Sequence, residues 1–155
     1  MRGYGVPREM EGALPWSWAQ ERLDGSRNYW VCTTKPDGRP HAMAVWGAMV
    51  GHDFYFSTAD TSVKARNLDR DDRCTICTER ADEAVILEGR AERASDRASL
   101  ERFAKSYQAK YNYPLNLDAP PGPIWVVRPA KVFGFIEHES QFSSTATRWT
   151  FAGAD

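Results

Sequence analysis

Cysteine is scarce in this sequence, and long hydrophobic runs are missing. The chain of 155 residues contains three cysteines. This odd number, in a chain too large to need disulfides for stability, indicates a reducing compartment. No apolar run approaches the roughly 20 residues that a membrane-spanning helix needs, and the opening residues show no signal-peptide pattern. We therefore predict a cytoplasmic protein with no membrane association.

The sequence also lacks an excess of charge of either sign. Twenty Lys and Arg residues oppose 21 Asp and Glu residues, for a net charge of -1. The basic residues are scattered rather than clustered, so the electrostatic surface that nucleic-acid binding needs is not indicated. Known motifs of serine hydrolases, zinc proteases and P-loop nucleotidases are absent. The acidic run at residues 69–72 lacks the oxygen spacing and glycine of a calcium loop, which favours a solvated helix end.

Cys74 and Cys77 form a CxxC pair, a pattern found in zinc and redox sites. A zinc site usually needs a second such pair or suitably spaced histidines. The remaining candidates are isolated along the chain: Cys32, His41, His52 and His138. The pair also lies in the β-branched stretch "RCTICTE", where positions three apart point to opposite faces of a strand. We therefore predict no metal site and no functional CxxC here.

What is present suits one domain over residues 1–155, with 42% hydrophobic residues for its core. Three stretches predict helices. "LPWSWAQERLDG" has Pro15 near its start and Gly25 after its end. Its packing side is expected to contain Leu14, Trp16, Trp18 and Leu23. "TSVKARNLDRDD" is the second helix. The third is "DRASLERFAKSYQAKY", which Ser95 and Asp96 can cap and whose apolar residues recur at helical spacing, namely Leu100, Phe103 and Tyr107.

Six or seven strands are predicted, mostly before or between the helices. "RNYWVCTT" and "HAMAVWGAMV" flank the turn "KPDGRP", which is typical of a hairpin. "FYFSTA", "RCTICTE" and "EAVILEGRAER" follow, then the proline-rich loop "NYPLNLDAPPGP". "IWVVRP" and "KVFGFIE" are expected to form a pair of strands, and "TATRWTF" a short terminal one. This order predicts a mostly β fold, an antiparallel barrel with added helices.

Polar residues cluster where "DFYF" passes into the second helix. A helix that begins directly after a strand presents unpaired N–H groups, which makes its first turn a natural anion site. Thr61 or Ser62 can cap this helix, Lys64 adds a charge, and Arg66 adds a planar donor. A solvated surface helix would have a similar sequence, since Lys64 and Arg66 do not share a face. Asp60 would repel an anion unless it points away.

Four stretches in this order resemble one known superfamily: "TTKPDGRPHAMAVWG", "FYFSTADTSVKARNL", "VILEGRAE" and "TATRWTF". They are similar to the pyridoxamine 5'-phosphate oxidase-like split-barrel proteins, which include FMN-binding and coenzyme F420-binding oxidoreductases. The similarity runs from about residue 27 to the C-terminus. It implies a six-stranded antiparallel split β-barrel, a homodimer, and a cofactor bound at the dimer interface.

The resemblance also implies roles for particular residues. Thr58, Ser62 and Lys64 would hold the cofactor phosphate, and Ser57 would lie near the cofactor. The ring system would lie beside Met43, Ala44, Val45 and Trp46. The oxidases of vitamin B6 metabolism have an Arg directly before the Lys, where this chain has Val63. "KARNL", with Arg66 and Asn67, is instead similar to the F420-using branch, which favours F420 over FMN. "TATRWTF" replaces the Arg-Leu-His arrangement that grips pyridoxamine phosphate, which argues against that substrate.

Three further residues are candidates for a substrate or partner-subunit pocket. Arg148 and Trp149 can reach the partner's site, or Trp149 can belong to the core. His41 can line the cofactor, or act as a surface hydrogen-bonding residue. The leading hypothesis is an oxidoreductase that transfers hydride to or from a small organic substrate. The alternatives are a protein that binds FMN, F420 or haem without turnover, and a structural dimer with a vestigial pocket.

Overall fold

The structure, a computed structural model, describes residues 14–152. The stretch considered above for a signal peptide lies outside these residues, except for Leu14. The helices are α1 (Trp16–Gly25), α2 (Val63–Arg70), α3 (Arg97–Tyr111) and α4 (Phe142–Thr145). The strands are β1 (Tyr29–Thr34), β2 (Pro40–Val45), β3 (Gly47–Val50), β4 (Asp53–Ser57), β5 (Arg73–Thr78), β6 (Glu83–Arg93), β7 (Ile124–Ile136) and β8 (Thr147–Thr150).

The three predicted helices form, but Gly25, predicted to follow α1, is the last residue of that helix, and Ser26 is its C-cap. Pro15 precedes α1 in an extended conformation, which suits a residue with a fixed φ. Asp96 caps α3 by accepting a hydrogen bond from the Ser99 N–H at 2.9 Å, and Asn112 ends that helix at a positive φ of 52°. The described helices include none long and apolar enough to cross a membrane.

All strand pairs in the sheet are antiparallel, and the strand order is β2-β1-β5-β6-β7-β4-β3, with β8 added to β7. The two edge strands, β2 and β3, follow each other in the chain with only Trp46 between them. The sheet therefore curls until its two edges meet at one short connection. This arrangement is a split barrel with added helices, and it confirms the predicted fold class.

Within residues 14–152 the sheet has eight strands, rather than the six or seven predicted from the sequence and the six that the resemblance implies. Two details of the strand prediction were also wrong. "HAMAVWGAMV" is not one strand, because the N–H and C=O of Gly47 both bond the Tyr111 hydroxyl. "IWVVRP" and "KVFGFIE" are not a pair but the single strand β7. A bulge opposite Glu88 and Gly89 accommodates Pro129 there, since proline cannot donate to the ladder.

The core has two parts. The larger lies inside the curled sheet under α1, and its fully buried side chains include Leu23, Phe54 and Phe56. The smaller lies between α3 and the β3–β4 hairpin and contains Phe103 and Tyr107. The proline-rich loop forms no helix or strand, as predicted, but its Leu115 is 9% exposed and belongs to the smaller cluster. One leucine thus anchors the loop to the core.

Candidate functional site

The hydroxyl groups at the β4–α2 corner form a connected set. The Ser57 hydroxyl donates to the Gly122 carbonyl at 3.2 Å, and the Thr58 hydroxyl donates to the Ser62 Oγ at 3.2 Å. Ser62 in turn caps α2, because its Oγ accepts a hydrogen bond from the Ala65 N–H. The remaining first-turn N–H groups of α2 have no acceptor within the helix, which is the usual basis of an anion site.

The loop before β7 forms the second wall of this corner. The Thr58 N–H donates to the Pro123 carbonyl at 3.3 Å. A Cβ atom added to Gly122 would lie 2.3 Å from the Thr58 carbonyl oxygen, so only glycine permits this approach. Sequence analysis did not identify Gly122, because nothing local shows which distant backbone it touches.

Lys64 is the half-buried cation of the corner. Its side chain is half-buried, and burial lowers its pKa. Within residues 14–152 it has no hydrogen-bond or ion-pair partner. Arg66, by contrast, is exposed and donates to the Thr61 carbonyl at 2.8 Å. A partly desolvated ammonium without a counter-ion favours an anionic ligand, since such a charge is costly when unpaired.

Arg93, at the end of β6, neutralises the acidic residues beside the corner. Its guanidinium lies 2.8 Å from the Asp60 carboxylate and 3.0 Å from that of Asp69. The repulsion that Asp60 would exert on an anion is therefore largely offset. Sequence analysis missed Arg93, because no pattern links the end of β6 to the start of α2.

Asn67 and His41 connect the corner to β2. The buried Asn67 amide donates to the buried Thr33 hydroxyl at 2.9 Å. His41 lies directly opposite Thr33 in the β1–β2 register, and opposite residues point to the same face of a sheet. The His41 Nδ1 is buried without a hydrogen-bond partner among the described residues. This nitrogen is enclosed by the protein, and the Asn67 amide is already bonded to Thr33.

The four residues assigned beside the cofactor ring do not share one environment. Met43 and Val45 lie on the same face of β2 as Val31, but Met43 is 47% exposed and Val45 is buried. Ala44 lies on the opposite face. Trp46 lies beyond the strand and stacks on Tyr111, with ring centroids 4.5 Å apart and planes 7° apart. Of these four residues, Met43 is thus the one whose apolar side chain is accessible on the face of β2 that Val31 shares.

Arg148 and Trp149 lie on opposite faces of β8, as alternation along a strand requires. The Arg148 guanidinium lies over the Phe133 ring, 5.3 Å from its centroid, and is exposed. Trp149 packs against the main core and contacts Trp16 edge to face, with centroids 5.6 Å apart. Within one subunit, the structure therefore does not bring these two residues together with the corner residues.

The donor set at the corner suits a phosphate group. Clustered hydroxyls, free helix N–H groups and one half-buried ammonium are the usual ligands of a phosphate oxygen. An exposed methionine and a partly buried histidine on β2 offer a surface for an attached ring. The residues present thus fit a phosphate-bearing cofactor.

Comparison with known proteins agrees with this fold. The family model described as pyridoxamine 5'-phosphate oxidase matches residues 18–135. Among solved structures, Rv2991 from Mycobacterium tuberculosis superposes with a TM-score of 0.69 and 24% identity, over 82% of this chain and 88% of that one. No curated protein sequence matches the chain.

Two further structures carry names that describe a ligand or an activity. A heme binding protein from Mycobacterium smegmatis has a TM-score of 0.67 and 20% identity, over 88% of this chain and 59% of its own. A protein named F420 reductase has a TM-score of 0.58 and 23% identity, over 73% of this chain and 94% of its own. At such identities the likeness concerns the fold.

Proposed function

The chain belongs to the pyridoxamine 5'-phosphate oxidase family, and from that membership we propose that it is an oxidoreductase that uses coenzyme F420 or FMN. It transfers hydride between the bound cofactor and a small organic substrate. Two copies form a homodimer, and the interface between them completes the site. An F420 reductase with the same fold supports this proposal.

The observation that carries the proposal is the state of Lys64. A half-buried ammonium without a partner, beside the linked hydroxyls of Thr58 and Ser62, is costly for an apo protein. A bound phosphate supplies the missing counter-charge, and Ser62 and the helix N–H groups add hydrogen bonds to it. We therefore assign the cofactor phosphate to this corner.

The sequence around Lys64 favours F420 over FMN. Val63 stands where the oxidases of vitamin B6 metabolism have an Arg directly before the Lys, and the "KARNL" stretch is similar to the F420-using branch. Arg66 is exposed and donates to the Thr61 carbonyl, so Lys64 is the half-buried cation of the two.

The bound cofactor supplies the hydride chemistry. The protein contributes position and environment. The α2 corner holds the phosphate, and the exposed Met43 side chain gives the ring an apolar contact on β2. The Asn67–Thr33 hydrogen bond keeps the two elements in a fixed relation. The partly buried His41, on the same face of β2 as Met43, is a further candidate for contact with the ring or the substrate.

Side-by-side fluorescence titrations with F420 and FMN test the proposal. We expect binding of both to saturate, with the lower Kd for F420, and reduced F420 to be oxidised when an unsaturated acceptor is added. A tighter complex with FMN would reverse the cofactor assignment. Binding of neither would refute the phosphate corner.

A second candidate function is cofactor or haem binding without turnover, which the similar heme binding protein favours. A haem titration followed by Soret absorbance tests it. Three results together would favour this second function over the oxidoreductase proposal: haem binding saturates, Lys64→Ala leaves it unchanged, and reduced F420 is not oxidised.

A further inference from the structure

The outer face of the sheet is covered on one side and open on the other. At the β3–β4 hairpin, α3 lies on the outer face, and Ala48 and Tyr55 are buried there with Phe103 in the smaller core cluster. At β1 and β2, outward-pointing side chains remain accessible. Trp30 is 47% exposed, and Ala44, directly opposite it in the β1–β2 register, is exposed as well. Within residues 14–152, this side of the sheet is therefore open to solvent.

Trp30 belongs to an uncharged strip that crosses five strands. Its chain neighbours Tyr29 and Val31 are fully buried in the larger core cluster, so Trp30 points to the outer face. Strand register places the members of the strip in line, and they are Ala44, Trp30, Cys77, Ile86 and Phe133. At a strand spacing of about 4.8 Å, the strip measures about 19 Å along the sheet. A solvated sheet face is normally polar, so an uncharged strip of this width indicates a contact surface.

Charged residues border the strip. In the next row along the strands, Glu88 and Lys131 lie opposite each other in register. At the β8 end, the Arg148 guanidinium lies over the Phe133 ring. An apolar centre with a polar rim is the usual composition of a protein–protein interface, and tryptophan is enriched among the residues that dominate binding energy. The outer face around Trp30 has this composition.

A second copy of this chain suits the strip better than a charged partner does. In a two-fold dimer the same surface lies on both sides of the contact, so it must be compatible with itself. An uncharged strip meets this condition, because it brings no like charges together, and the rim offers both signs through Glu88 and Lys131. The strip also ends on β2, whose opposite face carries Met43 beside the proposed cofactor site.

We propose that the strip centred on Trp30 is the surface through which two copies of this chain associate. The inference rests on the proposed function, which requires a homodimer, and adds which face forms the interface and which residue dominates it. Burial of the two exposed indoles supplies the largest apolar contribution, since a tryptophan side chain can bury about 150–250 Å². Each copy is then seated beside the β2 strand that borders its partner's cofactor site.

Sedimentation velocity of the purified full chain over a concentration series tests the proposal. We expect the wild-type protein to sediment with the mass of two chains and to dissociate only on dilution. Trp30→Glu places a carboxylate in the strip of each copy. The dimer dissociation constant should therefore rise at least about thirtyfold, the effect of losing a dominant interface residue. Because Trp30 is already half-exposed in one subunit, the variant should keep the circular dichroism spectrum of the wild type.

Two further variants complete the experiment. Tyr113→Glu is the matched control, since Tyr113 is 49% exposed but lies in the loop after α3, against Tyr107. It should remain dimeric. Ala44→Glu introduces the same charge at the β2 end of the strip and should be monomeric; it replaces Trp30→Glu if that variant does not fold. A monomeric wild-type protein, or dimers that persist in both strip variants, would overturn the proposal.

Cofactor titration of the same samples separates this inference from the proposed function. If Trp30→Glu disrupts the wild-type dimer, the interface stands even when neither protein binds F420 or FMN, and the proposed function alone fails. If the wild type binds F420 but its dimer survives both strip substitutions, the proposed function stands and this interface is refuted.

Discussion

The Asn67 side-chain amide donates to the Thr33 hydroxyl at 2.9 Å, and each of these residues is less than 5% exposed. This hydrogen bond joins α2, which begins at the β4–α2 corner, to β1, the neighbour of β2 in the sheet. Arg70 of α2 also donates to the Thr34 carbonyl of β1. Together the two bonds hold α2, which carries Lys64, against the sheet.

Asn67→Leu should lower the free energy of unfolding, measured by urea denaturation. The substitution leaves the buried Thr33 hydroxyl without its donor, and an unsatisfied buried polar group costs about 1–3 kcal/mol. The double variant Thr33→Val, Asn67→Leu removes both polar groups, so we expect it to lose less than the sum of the two single variants. Additive losses would show that the hydrogen bond contributes nothing specific.

Lys64→Ala should weaken F420 binding about tenfold to a hundredfold, the equivalent of a charge-assisted hydrogen bond. Fluorescence titration measures this change. The free energy of unfolding of the apo protein should not fall, because Lys64 has no hydrogen-bond or ion-pair partner among residues 14–152 to lose. Lys105→Ala, on the exposed surface of α3, is the matched control and should leave the Kd unchanged. Equal Kd values for the two variants would refute the phosphate assignment.

Gly122→Ala should weaken cofactor binding and lower the melting temperature. The new methyl group would lie 2.3 Å from the Thr58 carbonyl oxygen, so the corner backbone must shift; overpacking of this kind costs about 1–3 kcal/mol. A Cβ at Gly25 meets nothing within 4 Å, so Gly25→Ala should affect neither property adversely. Both measurements are made on the same samples. If Gly122→Ala changed neither the Kd nor the melting temperature, the close approach of Gly122 to Thr58 would be contradicted.

The Lys110 contribution to the free energy of unfolding should rise with pH between about 8 and 10.5. Its ammonium donates to the Tyr29 hydroxyl at 2.7 Å and to the Ser26 carbonyl at 3.0 Å, and burial lowers its pKa from 10.5 to about 8. Between these values the unfolded chain binds more protons at this residue than the folded chain, so this contribution to stability rises with pH.

The comparison is with Lys110→Met, by urea denaturation between pH 7.5 and 9.5. The free energy of unfolding of the wild type, minus that of the variant, should increase across this range. Other titrating groups cancel in the difference. A constant or falling difference for Lys110→Met would contradict the lowered pKa.

Capping and turn residues in the sequence predicted much of the fold without any tertiary information. Pro15 and Asp96 placed the starts of α1 and α3, and the Pro-Asp-Gly turn placed the β1–β2 hairpin, since these residues act through their own backbone geometry. The strand-to-helix corner was predictable for the same reason. Ser62 caps α2 as expected, and the family resemblance drawn from the same stretches is confirmed.

The remaining features depended on contacts between distant segments. The break at Trp46 arises because Tyr111 bonds the Gly47 backbone, and the close approach at the corner depends on Gly122. The sequence alone determined the type and order of most elements and the chemistry of the corner, because those follow from neighbouring residues. Only the tertiary structure decided that Asn67 bonds Thr33 and that Arg93 neutralises Asp60, because strand register and sheet curvature bring together residues with no relation in sequence.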